Sequence, residues 1–306
     1  MSDPRPIGVF DSGVGGLTVL REIVRRSPYE STIYLGDNAR APYGPRSDEE
    51  VLSYSTQALD ALAERDVKAI VVACNTSTAV GIGAFRRRYD LPILGVIRPG
   101  ASAAALSTRN RRVGVIATPA TVRSHAYFTS IKDENPAIEV YEHATPTLVP
   151  MVEAGILSGP EAEATVAMAL APLLGERGAD GESIFPRPPG ATIDTLLLGC
   201  THYPLLRSLI AGVVGDRVAI VDSATATASA LAELLVVNGL EAPGTTRGTA
   251  ADAGLAGHER PDEAQRPTSH RQLTTGDPAR FHEVAVRLFG SGLPMADPIE
   301  LGALVS

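Results

Sequence analysis

The chain has 306 residues, 44% of them hydrophobic, and a formal net charge of −8. That length exceeds one ordinary domain and suits two, and the apolar share is enough for a real core. The absence of any Lys/Arg-rich run argues against direct nucleic-acid binding, no apolar run has the length of a bilayer span, and two cysteines with few neighbouring histidines make a poor zinc site.

The opening Met1-Ser2-Asp3-Pro4-Arg5-Pro6 is polar and lacks the apolar stretch of a signal peptide, so a cytoplasmic location is expected. Ile7-Gly8-Val9-Phe10 then reads as a short buried strand stopped by Asp11-Ser12-Gly13. Leu17, Leu20, Ile23 and Val24 recur at helical spacing. Thr32-Ile33-Tyr34-Leu35 is the next strand, ended by Gly36-Asp37, and Ser47 with Glu50 three residues later has the form of a capping box. Ala69-Ile70-Val71-Val72-Ala73 is a third strand that stops at Cys74-Asn75-Thr76; a helical stretch and the strand Ile93-Leu94-Gly95-Val96 follow. Strands alternating with helices predict a parallel sheet covered on both faces.

The pattern restarts at Val113-Gly114-Val115-Ile116. A second strand begins at Ile138, and a third, Thr195-Leu196-Leu197-Leu198-Gly199, stops at Cys200-Thr201-His202. First strand start to cysteine is 67 residues in the front half (7 to 74) and 87 in the back half (113 to 200). A Gly/Pro-rich insert near residues 178–190 accounts for much of the difference. Each half thus places one cysteine at the end of its third strand, the pattern of a duplicated α/β domain. A further strand, Arg217 to Val221, and a helix from about Thr225 to Val237 come next. Residues 243–270 are polar and read as a mobile surface loop, and order resumes at Leu273 and in a helix through Phe281, Val284 and Leu288. The expected fold is two similar parallel-sheet α/β domains related by pseudo-symmetry, with the site in the cleft between them. Residues 1–98 plus 223–306 would form the first domain, with Cys74, and 99–222 the second, with Cys200.

Ligands of open parallel sheets bind beyond the carboxyl ends of the strands. Asp11-Ser12, Asp37, Cys74-Asn75-Thr76, Thr118 and Cys200-Thr201-His202 all fall at such ends. Each cysteine is expected to open a helix. Free N–H groups there favour anions, which would lower the thiol pKa and offer carboxylate sites at Asn75-Thr76 and at Thr201. A single cysteine at a strand end is more often packing than chemistry, and a single histidine more often structural than catalytic. The paired placement favours chemistry, with His202 as a proton partner of Cys200. Asp11 either caps the following helix or assists proton removal from Cys74. Gly13-Val14-Gly15-Gly16 does not fit a dinucleotide fingerprint, and no Walker pattern exists.

Phe10-Asp11-Ser12-Gly13-Val14-Gly15-Gly16-Leu17, Pro42-Tyr43-Gly44, Ala73-Cys74-Asn75-Thr76 and Leu198-Gly199-Cys200-Thr201-His202-Tyr203-Pro204 resemble the glutamate racemase family in order and spacing. So do Gly114 to Thr118, Val149 to Glu153, Val221 to Ala224 and Thr275-Gly276-Asp277. The resemblance implies an amino-acid isomerase that needs no pyridoxal phosphate or other cofactor and supplies D-glutamate for peptidoglycan. It implies that Cys74 takes the α-proton from D-glutamate and Cys200 from L-glutamate. Asp11 would assist Cys74, and His202, with Glu153 behind it, would assist Cys200. Substrate contacts would come from Asp11, Ser12, Tyr43, Gly44, Asn75, Thr76, Thr201 and His202, with Thr118 and Thr121 as further candidates. Glutamate is the expected small-molecule partner, with no metal, no membrane and no nucleic acid, and a homodimer is the expected assembly. Three other readings stand beside it: a two-cysteine racemase for aspartate, a Cys-His hydrolase using Cys200 and His202, and a non-catalytic dicarboxylate-binding protein.

Overall fold

The computed structural model describes residues 2–174, 192–244 and 268–302. In the front half, strand β1 (Ile7–Asp11) leads to helix α1 (Leu17–Arg26), then β2 (Thr32–Gly36), α2 (Asp48–Ala63), β3 (Ala69–Val72), α3 (Asn75–Arg88) and β4 (Ile93–Gly95); α4 (Ile97–Ser107) follows and packs on the sheet of the back half. The back half runs β5 (Arg112–Ala117), α5 (Pro119–Arg123), α6 (Ala126–Glu134), β6 (Glu139–Ala144), α7 (Leu148–Glu153), α8 (Pro160–Leu174), β7 (Thr195–Gly199), a 3-10 turn (Tyr203–Leu206), α9 (Arg207–Val214) and β8 (Ala219–Asp222). Helix α10 (Ser223–Asn238), β9 (His270–Thr274), α11 (Pro278–Phe289) and β10 (Asp297–Pro298) return to the front.

Two parallel sheets result, one ordered β10-β9-β2-β1-β3-β4 and the other β6-β5-β7-β8. Setting β9 and β10 aside, the two orders match element for element: β1 with β5, β2 with β6, β3 with β7 and β4 with β8. The register agrees, since Ile7 pairs with Ala69 in one sheet and Val113 with Thr195 in the other. This is the α/β pseudo-symmetry that the spacing of the cysteines predicts. The central strands β1, β3 and β7 are buried at every residue, as runs covered by helices on both faces must be, whereas β6 and β8 lie at an edge and carry the polar residues Glu139, Glu142, His143 and Asp222.

Local signals in the sequence account for the element starts. Ser47 and Glu50 form the reciprocal capping box of α2, and Asp222 caps α10 by accepting from the Thr225 N–H at 3.0 Å. Cys74 is itself the N-cap of α3. Cys200 differs from expectation. It opens no α-helix; the chain passes through the short 3-10 turn, and α9 begins only at Arg207. Pro204, which has no N–H to donate, sits inside that turn. Strand β9 begins at His270, inside the stretch read as loop, and pairs with β2. The insert near 178–190 and most of 243–270 lie outside the described residues. One apolar cluster runs through both halves and includes Val9, Leu17, Ile116, Leu198 and Phe281. Helix α10, leaving the second sheet, packs on α1 of the first. The carboxyl ends of β1 and β3 and those of β5 and β7 are thereby brought to one cavity. Among the described residues no helix is long and apolar enough to cross a membrane.

Candidate active site

The cavity is lined by residues of both halves: Ser12, Tyr43, Gly44, Cys74, Asn75 and Thr76 from the front, and Thr118, Glu153, Cys200, Thr201 and His202 from the back. It is narrow in this conformation, about 40 Å³, room for a few water molecules. Ala41, Pro42 and Glu153 also border a wider outer cavity of about 460 Å³, beside Arg280 of α11.

Both cysteines are free thiols and buried, 4% and 5% exposed, which leaves each reachable only through the cavity. Cys74 Sγ lies 3.5 Å from Ser12 Oγ and accepts from the Ser77 N–H at 3.4 Å, the capping bond of α3. The helix start was expected to lower this thiol. Burial wins instead, the anionic Asp11 adds to it, and the Cys74 pKa is pushed up to about 11 despite the Ser77 and Ser12 contacts. Asp11 stands behind the cavity wall and is not among the lining residues. Its Oδ2 accepts from the Gly13 and Gly16 N–H groups, each at 3.0 Å, so it does hold the start of α1; its buried Oδ1 has no hydrogen-bond partner among the described residues. Burial raises the Asp11 carboxyl, opposed by the positive charge of His202 and by those two N–H groups.

On the other wall, Cys200 Sγ faces His202 Nδ1 at 3.8 Å. His202 Nε2 approaches Glu153 Oε1 at 3.3 Å, an ion-pair distance whose angle falls outside hydrogen-bond geometry. Burial opposes a charge on the imidazole, but Cys200 and Glu153 together outweigh it and push the His202 pKa up to about 10. Contact with His202 in turn lowers Glu153, against the effect of its burial. The imidazole beside the Cys200 sulfur is thereby favoured in its protonated form, with the Glu153 carboxylate on its other side.

The remaining lining groups are held in place by partners in which sequence reasoning found little or no signal. Tyr43 donates a short hydrogen bond to Asp37, a fully buried carboxylate at the end of β2 that also takes Arg40 Nε at 2.7 Å and Thr275 Oγ1 at 2.6 Å. Burial and Asp37 raise the Tyr43 phenol well above its ordinary value, so it remains a donor. Asp37 was legible only as a strand end. Asn75 Oδ1 accepts from Tyr127 OH at 2.6 Å, which leaves its buried NH₂ without a partner among the described residues. Tyr127, on the buried side of α6, carries no sequence signal of this role. Thr76 and Thr118 meet hydroxyl to hydroxyl at 3.1 Å between the two halves, and Thr118 reaches Thr121 at 3.1 Å. Among the described residues no group of three His, Cys, Asp or Glu side chains is placed to hold a metal ion.

Two thiols on separate walls of one narrow cavity, one near a carboxylate and one beside an imidazole, are arranged for moving a proton, and the Asn75 amide and the N–H groups at the start of α3 suit a carboxylate. Comparison with known proteins places the chain in a family. Residues 7–181 match the model of the Asp/Glu/hydantoin racemases. A glutamate racemase of Oceanobacillus iheyensis is 42% identical over 285 residues, 93% of this chain and 92% of that one. The crystal structure of a glutamate racemase isoform from Bacillus anthracis aligns with a TM-score of 0.82 at 38% identity, covering 97% of this chain and 98% of that one. That of the Francisella tularensis glutamate racemase, in complex with D-glutamate, aligns with a TM-score of 0.80 at 31% identity over 99% of this chain and all of the other. With sequence and fold in agreement, the chain belongs to the Asp/Glu/hydantoin racemase family, within its glutamate racemase branch.

Proposed function

We propose that this chain interconverts L- and D-glutamate by moving the α-proton between Cys74 and Cys200, without a cofactor. The observation that carries the reading is that the two cysteines, from corresponding positions in the two sheets, line one cavity. Inverting an α-carbon requires taking a proton from one face and returning one to the other. One group on one face cannot readily do both, whereas a thiolate on one wall and a thiol on the other can.

In the L-to-D direction the Cys200 thiolate takes the α-proton and the Cys74 thiol delivers its own to the opposite face; the reverse direction exchanges the roles. With a pKa pushed up to about 11, Cys74 rests as the thiol at neutral pH. That is the form it needs as donor to the carbanion. When it acts as base, the substrate ammonium supplies the positive charge that favours its thiolate. Asp11 assists Cys74 from behind the wall. His202, backed by Glu153, holds a proton at Cys200. Asn75, Thr76 and the N–H groups at the start of α3 take one carboxylate, with Ser12, Tyr43, Gly44 and Thr201 completing the substrate contacts and His202 at their edge; Asp11, behind the wall, acts through Cys74 and not on the substrate directly. The carbanion gains from fixed donors in a space with little water. Within this reading the protein acts in the cytoplasm as a homodimer and supplies D-glutamate for bacterial peptidoglycan.

The test is direct. Purified, dialysed protein given L-glutamate should abolish its optical activity with no cofactor added. An unchanged rotation would remove the proposal and leave a dicarboxylate-binding protein as the better description.

A further inference from the structure

We propose that Thr18 is a positioning residue for the Cys200 side of the reaction, acting from the opposite half of the protein; this deepens the two-thiol reading above and rests on it. Thr18 belongs to the first turn of α1 and is 1% exposed. Its hydroxyl lies 3.0 Å from the backbone carbonyl of Thr201, a residue 183 positions along the chain and one place after Cys200.

The need for this donor can be read from the backbone. In a 3-10 turn the carbonyl of residue i accepts from the N–H of residue i+3. For the Thr201 carbonyl that residue is Pro204, which has no N–H. The N–H groups on either side are committed elsewhere, Tyr203 to the Cys200 carbonyl at 3.2 Å and Leu205 to the His202 carbonyl at 3.1 Å. The Thr18 hydroxyl also lies 2.9 Å from the Gly15 carbonyl, but that acceptor already has the Thr18 N–H at 3.0 Å. The single hydroxyl proton therefore does most at Thr201, where it supplies what proline removes.

What the bond fixes is the turn that carries Cys200 and His202. Gly15 presses on the same turn, so close that a Cβ there would meet Thr201 Oγ1 at 2.4 Å and His202 Nδ1 at 2.6 Å. Nδ1 is the atom facing the Cys200 sulfur. The turn is thus held on the start of α1 by one hydrogen bond and one close backbone contact, and that same segment is held by Asp11 through Gly13 and Gly16. Cys74, by contrast, is seated by its own helix and by Ser12. Loss of the Thr18 hydroxyl should loosen the Cys200 wall and leave the Cys74 wall in place.

Racemisation cannot reveal this asymmetry, because glutamate and its mirror image are equally stable and kcat/KM must fall equally in both directions. Elimination can. From β-chloroglutamate a thiolate takes the α-proton, the Cβ–Cl bond breaks with loss of chloride, and the enamine is hydrolysed by water to ammonium and the keto acid. No proton need be returned, so the L-analogue reports on Cys200 and the D-analogue on Cys74. Thr18→Val should lower kcat/KM for elimination from the L-analogue about tenfold, in keeping with a buried carbonyl left without its donor. The D-analogue should stay within about twofold, which also shows that the protein is folded, and Thr18→Ser should restore the L-side. Equal loss on both enantiomers, no loss on either, or failure of serine to rescue would overturn the proposal. Cys200→Ser in the same assay separates the two claims: selective loss of L-elimination there upholds the two-thiol reading whatever Thr18→Val does.

Discussion

Gly15→Ala tests how tightly His202, the proposed proton partner of Cys200, must be held. The alanine methyl would stand 2.4 Å from Thr201 Oγ1 and 2.6 Å from both His202 Cε1 and His202 Nδ1. Ordinary non-bonded contacts lie near 3.5 Å, so the imidazole has to retreat by roughly 1 Å. Gly15 is not in the left-handed region of backbone space, so alanine brings no conformational strain and the effect comes from the contact alone. His202 is already 3.8 Å from the Cys200 sulfur. A displacement of that size at a catalytic pair costs on the order of 100-fold in rate, about 2.7 kcal/mol of barrier. We expect kcat for racemisation to fall about 100-fold. KM should rise as well, but by less, because Thr201 is displaced together with His202 while Ser12, Asn75 and Thr76 are untouched. Stopped-assay circular dichroism of glutamate gives both constants, and elimination from D-β-chloroglutamate should be largely spared. Wild-type kcat in Gly15→Ala, or equal damage to elimination from both enantiomers, would refute the reasoning.

Three further outcomes follow from the same geometry. His202 is raised to about 10 and Cys74 to about 11, and a pKa raised by folding stabilises the protonated state. Their contribution is therefore complete below the unfolded values and is lost as pH rises through about 10 and then 11. The melting temperature should decline on the alkaline side, and His202→Asn should flatten that decline; a wild-type slope in the variant would contradict the assignment. Dialysed protein should show no pyridoxal absorbance and keep full activity, and activity restored only by pyridoxal phosphate would end the two-thiol mechanism. Glutamine should be turned over at least tenfold less efficiently than glutamate, since its amide leaves a carboxylate site without its charge; comparable turnover of aspartate and glutamate would redirect the substrate assignment.

The parts of the fold that were legible in the sequence are those where local chemistry decides. Short apolar runs between turn signals, such as Ala69 to Val72 and Leu196 to Leu198, read as central strands, and Ser47 with Glu50 announces its own helix. The strand ends carried Ser12, Asn75, Thr76 and both cysteines to one cavity because a parallel sheet gathers its carboxyl ends on one side. What escaped was set by tertiary neighbours. A cysteine at a helix start looks like a lowered thiol until burial and Asp11 are known to dominate at Cys74. Cys200 looked like another helix start, although Pro204 was there to be read as the reason for a 3-10 turn. The polar strand His270–Thr274 finds its place only through pairing with β2, and Tyr127 matters only because it occupies the Asn75 carbonyl. Thr18 is one more polar residue in an amphipathic helix until the fold brings Thr201 to it.

The central claim is that each thiol serves one face of the α-carbon. The most direct measurement is elimination from each enantiomer of β-chloroglutamate, together with racemisation of glutamate, in Cys74→Ser and Cys200→Ser. The account predicts that both variants lose racemisation, that Cys74→Ser keeps elimination from the L-analogue, and that Cys200→Ser keeps it from the D-analogue. Full racemase activity in either variant would contradict it outright, and equal loss of elimination from both enantiomers in both variants would show that the two cysteines do not divide the work.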